Sequence, residues 1–242
     1  DRYASRGLGD VYKRQIGSIN ELKKIKVEDS YLIMGAMCSH SQIMNNKEVN
    51  EKFPLLNKLL AQVAHPAIRN KGTHGGSIAY GDPAAELPAF AVLVNAEIIL
   101  SGPNGERNVS AKEFYKGLFE TAINSDEILT SVKYPINQNG MKLFFDEVTR
   151  RHGDYAMAGL VGSIKQNNKI NEEINLVFFG TGDRPNEAPK TCEYLLKNEY
   201  NYSDIKDILK NDIDFASDIS SSPDMKAHLS AILVGRMMKE LN

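Results

Sequence analysis

Apolar positions along this chain follow two periods, and the switches between them predict its elements. Residues 30–38 form an apolar run of strand length, after which Ser39 or Ser41 can cap a helical turn. Pro54 stands at a first helical position, with Leu55, Leu56, Leu59, Leu60 and Val63 at spacings of three and four on one face; His65-Pro66 ends that helix. Residues 86–94 read as a mostly apolar helix entered through Asp82-Pro83, with Asp82 as its cap. Residues 96–101 read as a strand that turns through Gly102-Pro103-Asn104-Gly105 into an antiparallel partner around 107–109. Ser110-Ala111-Lys112-Glu113 matches a capping box for a short helix carrying Phe114 and Tyr115, and residues 127–134 form another strand, stopped by Pro135.

A polar, turn-rich stretch at 136–140 is the candidate linker, which divides the chain into regions 16–136 and 141–242. Beyond it come three strand-like runs at 141–148, 155–165 and 174–180, with Asn167-Asn168 as a turn. Three helical segments follow near 188–197, 203–210 and 223–241, the last with Met225, Leu229, Leu233, Met237 and Leu241 at near-fourfold spacing. Strands first and helices last make an α+β arrangement with a three-stranded antiparallel sheet and a helical bundle. Residues 201–218 are acidic and Asn-rich and read as a solvated face.

Composition narrows the function classes. With 42% hydrophobic and 25% charged residues the chain is ordinary for a globular protein, and a net charge of −2 offers no basic field for nucleic acid. The apolar run 89–100 is broken by Asn95 and Glu97 and is too short to span a bilayer. Cys38 and Cys192 have no partners at metal-ligand spacing, so the chain brings no iron–sulfur or zinc site, and reduced thiols in a cytoplasmic protein are the expectation. Residues 1–15 have four basic and two acidic side chains and no period; they resemble adaptor-derived sequence and are expected to be a non-native leader.

The stretch 65–88 is different. It carries four of the eighteen glycines, Gly72, Gly75, Gly76 and Gly81, with hydroxyls at Thr73 and Ser77 and almost no apolar residue, so it reads as an exposed loop. Peptide N–H groups freed by such glycines can form a nest for an anion, with the hydroxyls as extra donors, and a phosphate is the natural guest. A plain turn-rich surface loop has the same composition. The spacing satisfies neither the dinucleotide-fold fingerprint nor the P-loop. No nucleophile–base pair, paired carboxylate or metal cluster can be argued, so no catalytic residue is expected.

Ile68-Arg69-Asn70-Lys71-Gly72-Thr73-His74-Gly75-Gly76-Ser77, followed by Gly81-Asp82-Pro83-Ala84-Ala85-Glu86-Leu87-Pro88, resembles the second FAD-binding motif of the molybdenum hydroxylase flavoprotein subunits. These are the medium chains of aerobic carbon monoxide dehydrogenase and their xanthine dehydrogenase relatives. Arg150-Arg151-His152-Gly153-Asp154-Tyr155-Ala156 resembles a second signature of the same family. The resemblance implies the C-terminal lobe of a vanillyl-alcohol-oxidase/PCMH-type FAD-binding domain followed by a small C-terminal flavoprotein domain. It also implies an N-terminally truncated chain, because the family has a further Gly-rich loop upstream.

FAD is the implied cofactor, and carrying electrons is the implied task. Thr73, Gly75, Gly76 and Ser77 match positions that wrap the diphosphate and ribityl chain; Asp82 and Glu86 match carboxylates near the cofactor. Tyr155 matches an aromatic near the isoalloxazine ring, and Arg151 belongs to a basic triplet there, with His152 replacing Lys. His74 stands where the family has an apolar residue. From the residues alone, Asp82 is equally a helix cap, Arg69 a carbonyl anchor or a phosphate partner, Tyr155 a strand tyrosine, and Arg150 to His152 a solvated edge. The implied partners are a small iron–sulfur subunit and a large molybdenum-cofactor subunit, with NAD, a quinone or oxygen as acceptor. The alternative is a non-enzymatic phosphate- or nucleotide-binding interaction module.

Overall fold

The computed structural model describes residues 16–136, 140–168, 170–219 and 221–241. The expected leader at 1–15 and the middle of the expected linker, 137–139, lie outside the described residues. The chain opens with a 3-10 turn at Asn20–Lys23 and the hairpin β1 (Ile25–Glu28) to β2 (Tyr31–Gly35). Five helices follow: α1 (His40–Met44), α2 (Lys47–Lys52), α3 (Leu55–Gln62), α4 (Pro66–Lys71) and α5 (His74–Tyr80). Then come α6 (Glu86–Leu93), the hairpin β3 (Glu97–Gly102) to β4 (Gly105–Ser110), and the short α7 (Ala111–Phe114). A two-stranded hairpin, β5 (Tyr115–Gly117) and β6 (Glu120–Thr121), precedes β7 (Ile128–Pro135). The five long strands of this part form an antiparallel sheet in the order β1-β2-β7-β3-β4.

The second sheet contains β8 (Met141–Thr149), β9 (Ala156–Asn167), β10 (Ile170–Phe179) and a short β11 (Asn186–Glu187), in the order β11-β10-β9-β8. The fourth strand was not foreseen: two residues carry no period. Helices α8 (Pro189–Lys197), α9 (Tyr202–Asp212) and α10 (Pro223–Leu241) close the chain. All strand pairs are antiparallel, and the α+β expectation holds.

This second sheet is buried on both faces, which explains its long apolar strands. Phe145, Val161, Val177 and Phe179 point into one core with α6 and the first sheet. Phe144, Leu160, Ile164, Leu176 and Phe178 point into another with Leu195, Leu209, Leu233 and Met237 of the closing helices. Helix α6 is apolar all round because it lies between the sheets: Leu87, Ala89, Phe90 and Ala91 are all buried, and Phe90 lies 5.8 Å from the Tyr134 ring of β7.

Two expectations fail locally. Ser110 does not form a capping box, since its hydroxyl accepts from the Lys112 amide. Most of residues 65–88 is not an exposed loop either: 66–71 fold as α4, whose residues stay unburied, and 74–80 as α5, with His74, Gly75 and Ile78 buried, so that only 81–85 remain a loop before α6. Thr73 caps α5 by accepting from the Gly76 amide, and Gly81, at φ 64, ends it in the left-handed region. A threonine and a glycine eight residues apart are start and stop signals that glycine richness concealed.

Close packing of the second sheet depends on Gly159, where a Cβ would lie 2.0 Å from the Phe179 Cζ. Gly159→Ala is expected to cost about 1–3 kcal/mol by overpacking, read as a lower urea midpoint; adding Phe179→Leu should recover part of the loss.

Candidate functional site

The motif glycines sit in a backbone clasp. His74 donates its amide to the Cys38 carbonyl at 2.8 Å and Gly75 to the Ala36 carbonyl at 2.8 Å, while the Gly72 carbonyl accepts from His40 at 3.1 Å. The Gly76 amide goes to the Thr73 hydroxyl at 3.2 Å and the Ser77 amide to the Thr73 carbonyl at 3.0 Å. Every amide from His74 to Ser77 is therefore engaged internally, and the expected nest of bare N–H groups is overturned. The physical reason is strand-like docking of residues 72–75 beside residues 36–40. Gly75 serves that docking, because a Cβ there would stand 2.4 Å from the Ala36 Cβ. Gly76 is exposed, and a Cβ on it would meet only Thr73 atoms. The hydroxyls of Thr73 and Ser77, one helical turn apart, are what remains for a ligand.

His74 fills the apolar position of the motif by turning inward. It is fully buried, its Nε2 lies 2.7 Å from the Tyr134 hydroxyl, and its ring packs 5.6 Å from the Tyr134 ring. Burial, then the nearby His40, holds its pKa down to about 3; burial, then Arg69, holds His40 down to about 4. Arg69 is a carbonyl anchor: one terminal nitrogen reaches the carbonyls of Ala61, Val63 and Ala64 at 3.3, 2.9 and 2.8 Å.

Beside α5 lies a cleft of about 370 Å³ whose lining includes Ile68, Ser77, Tyr80, Asp82, Glu86, Asp154 and Tyr155. The structure thus joins Ser77, Asp82, Glu86 and Tyr155 from both motifs in one place. Thr73, Gly75, Gly76 and Arg151 do not line it, and Arg151 is exposed on the adjoining turn. Asp82 does not cap α6, whose cap is Ala85 without a side-chain bond; its carboxylate instead accepts from the Ala84 amide at 2.9 Å in a local turn. Tyr155 is 72% exposed, just ahead of β9 and not buried in it. A larger polar cleft of about 460 Å³, lined by Lys112, Arg184 and Glu187 among others, holds none of the motif residues.

The walls of the cleft are tied together. Gly180 donates to the Pro83 carbonyl at 2.7 Å, joining the end of β10 to the loop before α6. Gly153, at φ 85, packs on Ala64, and His152 Nδ1 lies 3.0 Å from Gln62 Oε1, so the turn before β9 rests on the end of α3.

Electrostatically the cleft is acidic, and none of its described lining residues is Lys or Arg. Burial, and secondarily the Asp82 charge, pushes Glu86 up to about 7. Glu147 on β8, which sequence reasoning missed, lies near Glu86; burial, then Glu86 and Asp146, pushes it up to about 8, and its Oε2 is buried without a partner. The signal available was a carboxylate on the inward side of the Phe145 strand, legible only once that strand is known to be covered on both faces.

The chain matches the family model for the FAD binding domain in molybdopterin dehydrogenase over residues 15–137, and the model for the CO dehydrogenase flavoprotein C-terminal domain over residues 144–241. It belongs to the FAD-binding subunit family of the molybdenum hydroxylases. Over 239 residues this flavoprotein chain is 32% identical to the glyceraldehyde dehydrogenase medium chain of Sulfolobus acidocaldarius, covering 98% of itself and 85% of that relative. It is 32% identical over 163 residues to the carbon monoxide dehydrogenase medium chain of Hydrogenophaga pseudoflava, covering 67% of itself and 57% of that protein. Among solved structures, quinoline 2-oxidoreductase from Pseudomonas putida 86 superposes with a TM-score of 0.84 at 28% identity, covering 93% of this chain and 79% of that one. The relatives are oxidoreductase subunits, so the flavoprotein chain is one as well and the interaction-module alternative falls. FAD as its cofactor rests on this membership, not on free amides. Among the described residues no helix is long and apolar enough to cross a membrane, and no group of three or more His, Cys, Asp or Glu could hold a metal ion.

The buried acids and histidines bias stability in opposite directions. A carboxyl raised to about 8 contributes stability that is full below its unfolded pKa, about 4.5, and is lost as pH rises through 8. Glu147→Gln should therefore be increasingly stabilising relative to the parent between pH 5 and 9, read from urea midpoints. Histidines held down to about 3 and 4 contribute stability that is full above about 6.5 and is lost as pH falls. His74→Phe should flatten that acid limb while leaving the Tyr134 hydroxyl unpaired, at a cost of roughly 1–3 kcal/mol at pH 7.

Proposed function

We propose that the cleft holds the ribityl and isoalloxazine part of FAD, and that the chain is the electron-transferring medium subunit of a heteromeric molybdenum hydroxylase. The observation that carries this is the convergence of Ser77, Asp82, Glu86 and Tyr155 from two motifs distant in sequence. The donor set fits a neutral polyhydroxyl chain and a flat ring. Carboxylates at Asp82 and Glu86 accept from hydroxyl groups, and an aromatic face at Tyr155 packs against a ring. It does not fit a diphosphate, since anions repel and none of the described lining residues is Lys or Arg. Thr73 and Ser77 hydroxyls, the side-chain-free face of Gly76, and the exposed Arg151 then serve the phosphates and the cofactor's outer edge, while Gly75 acts indirectly by letting α5 dock on residues 36–40.

FAD, when bound, supplies the redox chemistry; the protein binds it, orients it and sets its surroundings. In this reading residues 16–136 are the FAD-binding domain and residues 141–242 the C-terminal domain, in a cytoplasmic complex. With FAD held in this cleft, the subunit would take up electrons delivered from a molybdenum site in a large partner by way of iron–sulfur clusters in a small partner, and would pass them to NAD, a quinone or oxygen.

Titration of the full chain with FAD, followed by flavin fluorescence and by bleaching with dithionite, tests the assignment. Glu86→Ala is expected to weaken FAD binding about tenfold, roughly 1.4 kcal/mol. Unchanged affinity in Glu86→Ala and Ser77→Ala together would remove the cleft from the cofactor site.

A further inference from the structure

The hairpin β5–β6 turns through Leu118 and Phe119, and both side chains stand in water, 62% and 50% exposed. Phe119 has φ 55, a left-handed conformation that a bulky residue adopts only at a conformational cost. Its ring meets that of Tyr80, centroids 4.9 Å apart and planes 42° apart. Tyr80 is itself 59% exposed and lines the acidic cleft. The hairpin is seated on the end of α5, since a Cβ on Gly81 would lie 2.9 Å from the Thr121 Cγ2. Two aromatic rings thus touch each other, stay largely uncovered, and continue the cleft wall outward from Tyr80. Aromatic pairs of this size bury large apolar areas when a third flat group covers them.

We propose that Phe119 and Tyr80 form an aromatic shelf against which a flat ring of bound FAD packs, making Phe119 a positioning residue of the cofactor site. This rests on the assignment of the cleft to FAD. The occupant is argued from continuity: Tyr80 belongs to both the cleft and the shelf, so a ligand with a polyhydroxyl chain beside Asp82 and Glu86 brings a ring within reach of Phe119. FAD carries two such rings, isoalloxazine and adenine. Both are flat and aromatic, and both suit the exposed faces. A face of a partner subunit is the competing occupant.

Phe119→Gly separates folding from binding, because glycine adopts positive φ without strain while the ring is lost. The variant is expected to melt at or above the parent temperature, yet to bind FAD roughly tenfold more weakly; Phe119→Tyr should retain affinity. Parallel titrations with riboflavin and with ADP identify the ring: weakening for riboflavin alone assigns isoalloxazine to the shelf, and weakening for ADP alone assigns adenine. If Phe119→Gly leaves FAD affinity unchanged while Glu86→Ala lowers it, the shelf proposal is overturned and the cleft assignment stands. If the full chain binds no FAD, or neither variant alters binding, the cleft assignment falls and the shelf with it.

Discussion

The clasp between residues 72–75 and residues 36–40 sets the geometry on which the site depends. Two amide-to-carbonyl bonds of 2.8 Å, from His74 to Cys38 and from Gly75 to Ala36, lay the start of α5 along the chain leaving β2. That approach is possible because position 75 has no Cβ and because position 74 sends its side chain into the core to meet Tyr134. With α5 pinned at its start, Ser77 and Tyr80 face one side, where the loop through Asp82 and the turn before Tyr155 complete the cleft. The glycines act first on the protein's own backbone. Only Gly76 presents a bare surface outward.

The second sheet supplies the other wall by being covered twice. Its outer face is packed by α8 to α10 and its inner face by α6, and the Gly180 amide and the Gly153 turn tie its strand ends to the first part of the chain. The same enclosure strips solvent from Glu147 and lifts its pKa, and that carboxyl in turn lies beside Glu86. Acidic groups with raised pKa line and back the cleft, while His40 and His74 are kept neutral beneath the clasp. A surface built this way offers hydroxyl donors and carboxyl groups, and its described lining holds no Lys or Arg to offset a negative charge.

Much of the architecture was legible in the chain. The leucines of α3, the apolar helix α6, the hairpin β3–β4, the three long strands after position 140 and the closing helix all lie where their periods indicate. What escaped was governed by contacts distant in sequence. The helices α4 and α5 hide in a stretch whose glycines and polar residues ordinarily mark loops, and strand β11 is too short to carry a pattern. Asp82 reads as a cap but makes a turn, because the cap of α6 is Ala85, three residues further on.

The sequence by itself determined the family, through two ordered motifs, and the α+β layout, through periodicity, since both are properties of residues near one another in the chain. Only the tertiary structure decided which motif residues meet: Ser77, Asp82, Glu86 and Tyr155 share a cleft, while Thr73, Gly75, Gly76 and Arg151 stand outside its lining. It alone decided that the motif amides are engaged and that Glu147 and Phe119 flank the site. The reason is that hydrogen-bond partners and desolvation are set by groups brought from elsewhere in the fold, and no local pattern records them.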